Sequence, residues 1–198
     1  MKINIIFLIV LLLCVFGLAF QIVPKYTIVN LEGFQSDTQT EEQNLYVDVS
    51  TDDYTIKPFN YTTDEVKKNI VECFQREWGD TGVNYTPEFI NETWKYPDAL
   101  YIVTDKDNNF IGSAGIDRKY FFPFISHIYV KKEHRKNGYG EKLFDVVLQH
   151  GKKVGYKTVN GWCQDELVDY YENLGCKREK STLLLKPLVG FNLMSREV

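Results

Sequence analysis

The stretch ISHIYVKKEHRKNGYGEKLFDVVL, residues 125–148, changes character twice. It begins as the end of an apolar run, FPFISHIYV, that suits a central β-strand. It ends as a helix, with Leu143, Phe144, Val147 and Leu148 recurring at the spacing of one helical face. Between them, HRKNGYGEKL holds Arg135, Lys136, Gly138 and Gly140. An ordinary strand-to-helix turn needs at most one glycine. The first N–H groups of a helix lack intrahelical partners, and the helix dipole adds partial positive charge there. Glycines without Cβ let backbone N–H groups come close to a ligand. Arg135 and Lys136 add formal charge. The junction therefore predicts a cradle for a phosphate or pyrophosphate. It matches neither the Walker pattern GxxxxGK[ST] nor the dinucleotide fingerprint GxGxxG.

Working outward, YTIKPF from Tyr54 reads as a short strand. TTDEVKKNIVECFQREW reads as a helix, with Thr62 and Glu65 as a capping box and Val66, Ile70, Cys73 and Phe74 as its apolar stripe. TPEFINETWKY is a second helix, capped by Thr86 with Pro87 in its first turn. ALYIVTD and FIGSAGIDRKY, joined by KDNN, form a hairpin. After the helix that begins near Glu141, KTVNGWC is a strand and DELVDYYENLG a short helix, with Asp165 as cap and Gly175 as stop. STLLLKPLV is expected to close the sheet. The order β-α-α-β-β-β-α-β-α-β implies a mixed α/β sheet flanked by helices.

The chain has 198 residues, enough for one domain with its own core once the unusual N-terminus is set aside. A formal net charge of -4 argues against a general nucleic-acid binder. Cys73, Cys163 and Cys176 are widely and irregularly spaced. They form neither a disulfide framework nor a CxxC zinc pair, and read as buried thiols. No metal site is expected.

No charge falls between Lys2 and Lys25. As a helix that run is about 33 Å long, enough to cross a bilayer core. Residues 1–25 are therefore expected to be a single-pass membrane anchor, with residues 3–24 in the bilayer. The alternative is a cleaved signal peptide, with Gly17 and Ala19 before the cut. Residues 26–51 are expected as a polar linker and residues 52–198 as the folded domain. Asn60, Asn84 and Asn91 begin glycosylation sequons, which point to a luminal domain.

Residues 125–148, followed by DYYENLGCK, resemble the GCN5-related N-acetyltransferase superfamily. The likeness spans about residues 52–187 and is sharpest over 125–177. It implies a mostly antiparallel mixed sheet and acetyl-CoA as cosubstrate. The family's R/Q-x-x-G-x-G/A loop binds the acetyl-CoA pyrophosphate. Arg135, Gly138 and Gly140 hold its named positions, with Lys136, Asn137 and Tyr139 between them. Ile128 and Val130 would receive the pantetheine arm through backbone groups. Tyr171, Glu172 and Gly175 match the later Y-E-x-x-G-F motif, whose tyrosine protonates the departing thiolate in many members. Lys132, Gln164 and Cys176 depart from the family pattern.

The resemblance implies direct acetyl transfer to a primary amine, from a small molecule or a protein. Tyr171 would be the acid. His127, on the strand that lines the site, is the candidate base, and strand alternation puts it opposite Ile128 unless a bulge intervenes. The need for acetyl-CoA outweighs the sequons and favours a cytosolic face. The competing expectation is a membrane-tethered, non-catalytic CoA-binding or interaction protein.

Overall fold

The computed structural model describes residues 46–118, 122–179 and 191–198. The chain divides into two units, Met1–Asp37 and Thr38–Val198, and the second carries everything that follows. The expected anchor lies outside the described residues. Among the described residues, no helix is long and apolar enough to cross a membrane.

The strands are β1 (Val49–Ser50), β2 (Tyr54–Pro58), β3 (Ala99–Asp105), β4 (Phe110–Asp117), β5 (Phe124–Val130), β6 (Thr158–Cys163), β7 (Lys177–Arg178) and β8 (Asn192–Glu197). They form one sheet in the order β1-β2-β3-β4-β5-β6-β8-β7. Every pairing is antiparallel except β5 with β6. The helices are α1 (Asp64–Trp78), α2 (Pro87–Thr93), α3 (Tyr139–Val154) and α4 (Val168–Asn173). This is the expected mixed, mostly antiparallel sheet flanked by helices.

Helices cover both faces, which is why β3 is apolar from Ala99 to Val103 rather than alternating. Tyr101 and Val103 pack with Leu143, Val146 and Val147 of α3. Leu100 and Ile102, of opposite parity, pack with Ile70 and Phe74 of α1 and Ile90 of α2. Phe74 is fully buried and makes edge contacts with the Trp78, Tyr85 and Trp94 rings.

Several local expectations are corrected. The cap of α1 is Thr63, whose side chain accepts from the Val66 N–H at 3.3 Å. Thr62 is taken up by the short 3-10 turn after Pro58, and its hydroxyl donates to the Phe59 carbonyl at 2.8 Å. Asp165 does not cap α4, which is entered through a 3-10 turn. Its carboxylate instead accepts from Asn192 Nδ2 at 2.9 Å. The last described strand is β8, paired with β6 over six residues, and the STLLLKPLV stretch lies outside the described residues. The sheet starts within the stretch read as linker: β1 begins at Val49, and the buried Val47 donates its N–H to Tyr101 Oη at 2.9 Å. Thr86 caps α2 as expected, accepting from the Phe89 N–H at 3.1 Å.

Candidate active site

β5 and β6 run parallel but share one register pair, Phe124 with Asn160, before they part. β5 stays in register with β4 on its other edge, apart from one bulge. β6 is held by β8. Among the described residues no strand pairs across the gap, and every residue of β5 is only half-buried although the strand lies in mid-sheet. The opening is a cleft of about 330 Å³ whose lining includes Trp78, Ser126, His127, Ile128, Asn160 and Tyr171.

The bulge falls at His127. Ser113 pairs with Tyr129 and Gly115 with Ser126, so two β5 residues, His127 and Ile128, oppose Ala114. His127 has φ 51°, in the left-handed region, and its carbonyl accepts from Ser113 Oγ at 2.9 Å. A Cβ on Gly112 would sit 2.4 Å from the Tyr129 carbonyl oxygen, so that carbonyl faces β4. By alternation, the backbone groups of Ile128 and Val130 face the open side. One is already used, because the Val130 carbonyl accepts from Arg135 Nε at 3.0 Å. That bond ties Arg135 to the end of β5.

The glycine loop follows. Lys136 has φ 66° and Gly138 has φ 77°, two left-handed residues that turn the chain into α3. Left-handed residues in a tight turn direct successive N–H groups toward one concavity. The space above Gly138 is open, with nothing within 4 Å of where a Cβ would be. The first intrahelical bond runs from Lys142 N–H to the Gly138 carbonyl at 3.1 Å. The N–H groups of Tyr139, Gly140 and Glu141 thus belong to the first helical turn, with no carbonyl one turn back. Arg135, Lys136 and Asn137 are exposed around them. The Tyr139 ring packs edge-on against Tyr54 at 5.7 Å, so this residue offers the loop its backbone rather than its phenol. The loop fits an anion of the pyrophosphate type.

Tyr171 reaches the cleft from α4. Its ring lies 6.0 Å from Phe144 and 5.2 Å from Tyr170. Burial, with smaller effects from Tyr170 and the Cys163 and Cys176 thiols, holds its pKa well above the usual phenol range. It therefore keeps its proton at any working pH. Burial likewise raises Cys163, and pushes Cys176 up to about 11, so both are thiols rather than thiolates near neutrality. That disfavours either as a nucleophile.

On the other face of the sheet, His127 sits among aromatic rings. Trp78 and Trp94 lie 4.8 Å away, Phe74 5.3 Å and Tyr85 5.9 Å, between ring centroids. Its Nε2 is 3.1 Å from Tyr85 Oη. The bulge does not bring it to the α3 side. It adds a residue on the α1 and α2 side and leaves Ile128 and Val130 packed toward α3.

His127, Ile128 and Tyr171 thus line one cleft, and the glycine loop stands at the α3 end of the same strand. Sequence reasoning missed Ser126, Trp78 and Trp162, which also line it. It also missed Tyr170. Helical geometry separates its side chain by about 100° from that of Tyr171. The structure uses that angle to place its hydroxyl over the loop, 2.8 Å from where a Gly140 Cβ would lie.

The model of the Acetyltransferase (GNAT) family matches residues 63–176. Among curated proteins none matches the sequence. Several solved structures share the fold. A GNAT-family acetyltransferase from Staphylococcus aureus Mu50 is 16% identical, with 73% of this chain and 98% of that chain covered and a TM-score of 0.55. An aminoglycoside 6'-N-acetyltransferase complexed with coenzyme A is 13% identical, with coverage of 72% and 96% and a TM-score of 0.58. N-acetylglutamate synthase from Neisseria gonorrhoeae, complexed with coenzyme A and N-acetyl-glutamate, is 13% identical, with coverage of 73% and 35% and a TM-score of 0.54.

Proposed function

The chain belongs to the GNAT acetyltransferase family, whose cosubstrate is acetyl-CoA, and on that premise we propose that it transfers the acetyl group directly to a primary amine. The observation that carries this reading is the cleft, which has a protonated Tyr171 on the α3 side and His127 among its lining. Arg135, Lys136, Asn137, Gly138, Tyr139 and Gly140 hold the pyrophosphate. The N–H groups of Ile128 and Val130 receive the pantetheine arm, and the one at the bulge polarises the thioester carbonyl. The acceptor must attack as a neutral amine. His127, directly or through water, takes the proton the amine loses. The C–N bond forms, the C–S bond breaks, and Tyr171 gives its proton to the leaving sulfur. Burial keeps that phenol protonated, as a proton donor must be, although it also makes the phenol a weaker acid.

The test is release of free thiol from acetyl-CoA by the purified chain across a panel of primary amines. Amine-dependent release, with the acetylated amine found in equal amount by mass spectrometry, supports the reading. Binding of CoA without release for any amine leaves the non-catalytic binding protein in its place.

The uncharged run between Lys2 and Lys25 supports a membrane tether through residues 3–24, with this domain on the cytosolic side. Protease protection of the domain in sealed membranes tests it. Digestion without detergent fits the cytosolic side. Protection, or a mass shift on glycosidase treatment at Asn60, Asn84 or Asn91, contradicts it.

A further inference from the structure

The cleft passes through the sheet, so its two ends can be told apart by side-chain parity. Ile125 and Ile128 of β5 pack toward α3, as do Val159 and Cys163 of β6. Tyr171, which carries the leaving-group proton in the reading above, packs with the same group. The opposite parity on β6 gives Asn160 and Trp162. Trp162 stacks on Phe124, 6.2 Å between centroids and 25° between planes. Together with Trp78, Ser126 and His127, these residues form the end of the cleft across the sheet from Tyr171. In the acetyl-transfer reading, with Tyr171 at the thioester, this is the end left for the acceptor.

Two properties of that end restrict the acceptor. It is aromatic, and Trp162 is 44% exposed, a large flat apolar surface left open beside the reacting centre. It also carries no negative charge. Among the described residues that line the cleft there is no Asp or Glu, and the only formal charge is Arg196. One carboxylate stands directly behind the lining. Asp117, itself buried, accepts the Ser126 hydroxyl proton at 2.6 Å. Ser126 Oγ is thereby left with lone pairs that can accept one amine N–H.

The reacting nitrogen must shed its proton before it attacks, so it needs no lasting counter-ion. A second ammonium on the same acceptor has no such escape. It would be desolvated against tryptophan with no carboxylate to pair it. The cleft volume, at the low end of the range for small-molecule sites, is also shared with the thioester end.

We propose that the acceptor is a small monoamine on an aromatic or bulky apolar body, seated against Trp162 and Trp78, and not a polyamine or an amino sugar. The proposal rests on the amine-acetylation reading of this cleft. Initial rates of acetyl-CoA thiol release are compared for 2-phenylethylamine, tryptamine, spermidine and kanamycin. The arylalkyl amines are expected to exceed the polycations in kcat/KM by at least about tenfold. Trp162→Ala should raise KM for 2-phenylethylamine about tenfold, while KM for acetyl-CoA stays within about twofold and Trp162→Phe recovers most of the loss. Asn160→Asp, which adds a carboxylate at the same end, should raise kcat/KM for spermidine. Equal or faster turnover of spermidine or kanamycin by the unaltered chain overturns the proposal and leaves the acetyltransferase reading standing. So does a Trp162→Ala effect that falls equally on acetyl-CoA and on every amine. No thiol release with any amine overturns the parent reading instead.

Discussion

Gly140→Ala is a small change whose outcome depends on one neighbour. The added Cβ would lie 2.8 Å from Tyr170 Oη and 3.9 Å from Tyr170 Cζ. The first distance requires movement and the second is ordinary contact. Overpacking costs about 1–3 kcal/mol. Tyr170 is 40% exposed and its hydroxyl end can shift, which puts this case near 1 kcal/mol. Against that, alanine is the better helix former, worth about 0.5 kcal/mol in a first turn. In the unaltered background, Gly140→Ala should therefore destabilise by about 0.5 kcal/mol. In a Tyr170→Phe background the clash is gone, and the same substitution should stabilise by about 0.5 kcal/mol. Urea denaturation of the four proteins of this cycle reads the difference, a coupling of about 1 kcal/mol. If the two effects add to within about 0.3–0.5 kcal/mol, Tyr170 is not what requires glycine here and the reasoning fails. The family's loop pattern accepts alanine at this position, so the coupling would explain why this chain holds glycine. CoA affinity should survive in the double variant.

Other consequences follow from the same geometry. Tyr171→Phe should lower kcat by about a hundredfold or more, with KM for acetyl-CoA little changed. Because burial holds the Tyr171 proton, the unaltered chain should show no alkaline fall in kcat from this group up to about pH 10. Cys176, pushed up to about 11 from 9.0, should alkylate with iodoacetamide at pH 8 about a hundredfold more slowly than in the unfolded chain, by mass-spectrometric peptide mapping. Stability should fall in alkali. Burial raises both Tyr101 and Tyr171 above the ordinary phenol value of 10.0. Below that pH, folded and unfolded chains both hold these protons and nothing changes. Above it, only the unfolded chain releases them, so unfolding gains, on the order of 2 kcal/mol in all by pH 11, measured by urea titration.

The parts of this fold legible in the sequence are those with a local cause. α3 announces itself by Leu143, Phe144 and Val147 on one face, and the turn before it by Gly138, which sits at φ 77°. Thr86 and Pro87 mark the start of α2 through bonds within four residues. What escaped depends on distant partners. β7 has two residues, and only its pairing with β8 defines it. Asp165 looks like a cap until Asn192, 27 positions away, claims its carboxylate. Thr62 and Thr63 are interchangeable as caps by pattern, and the turn at Phe59 decides between them. The bulge at His127 carries no glycine to betray it. It becomes visible only when β5 is laid against β4. The same holds for the acceptor end of the cleft, where Trp162 and Trp78 come from elements 84 positions apart in the numbering.

In the proposed reaction, the parting of β5 and β6 brings a thioester and an amine together between Tyr171 and His127. A single-turnover experiment tests it most directly. The chain is loaded with acetyl-CoA and mixed with 2-phenylethylamine, and the acetylated amine and free CoA thiol are followed together. Both should appear at the same rate and in equal amounts, and Tyr171→Phe should slow both alike. Tight CoA binding with no acetylated amine, or thiol release that does not depend on the amine, would contradict it.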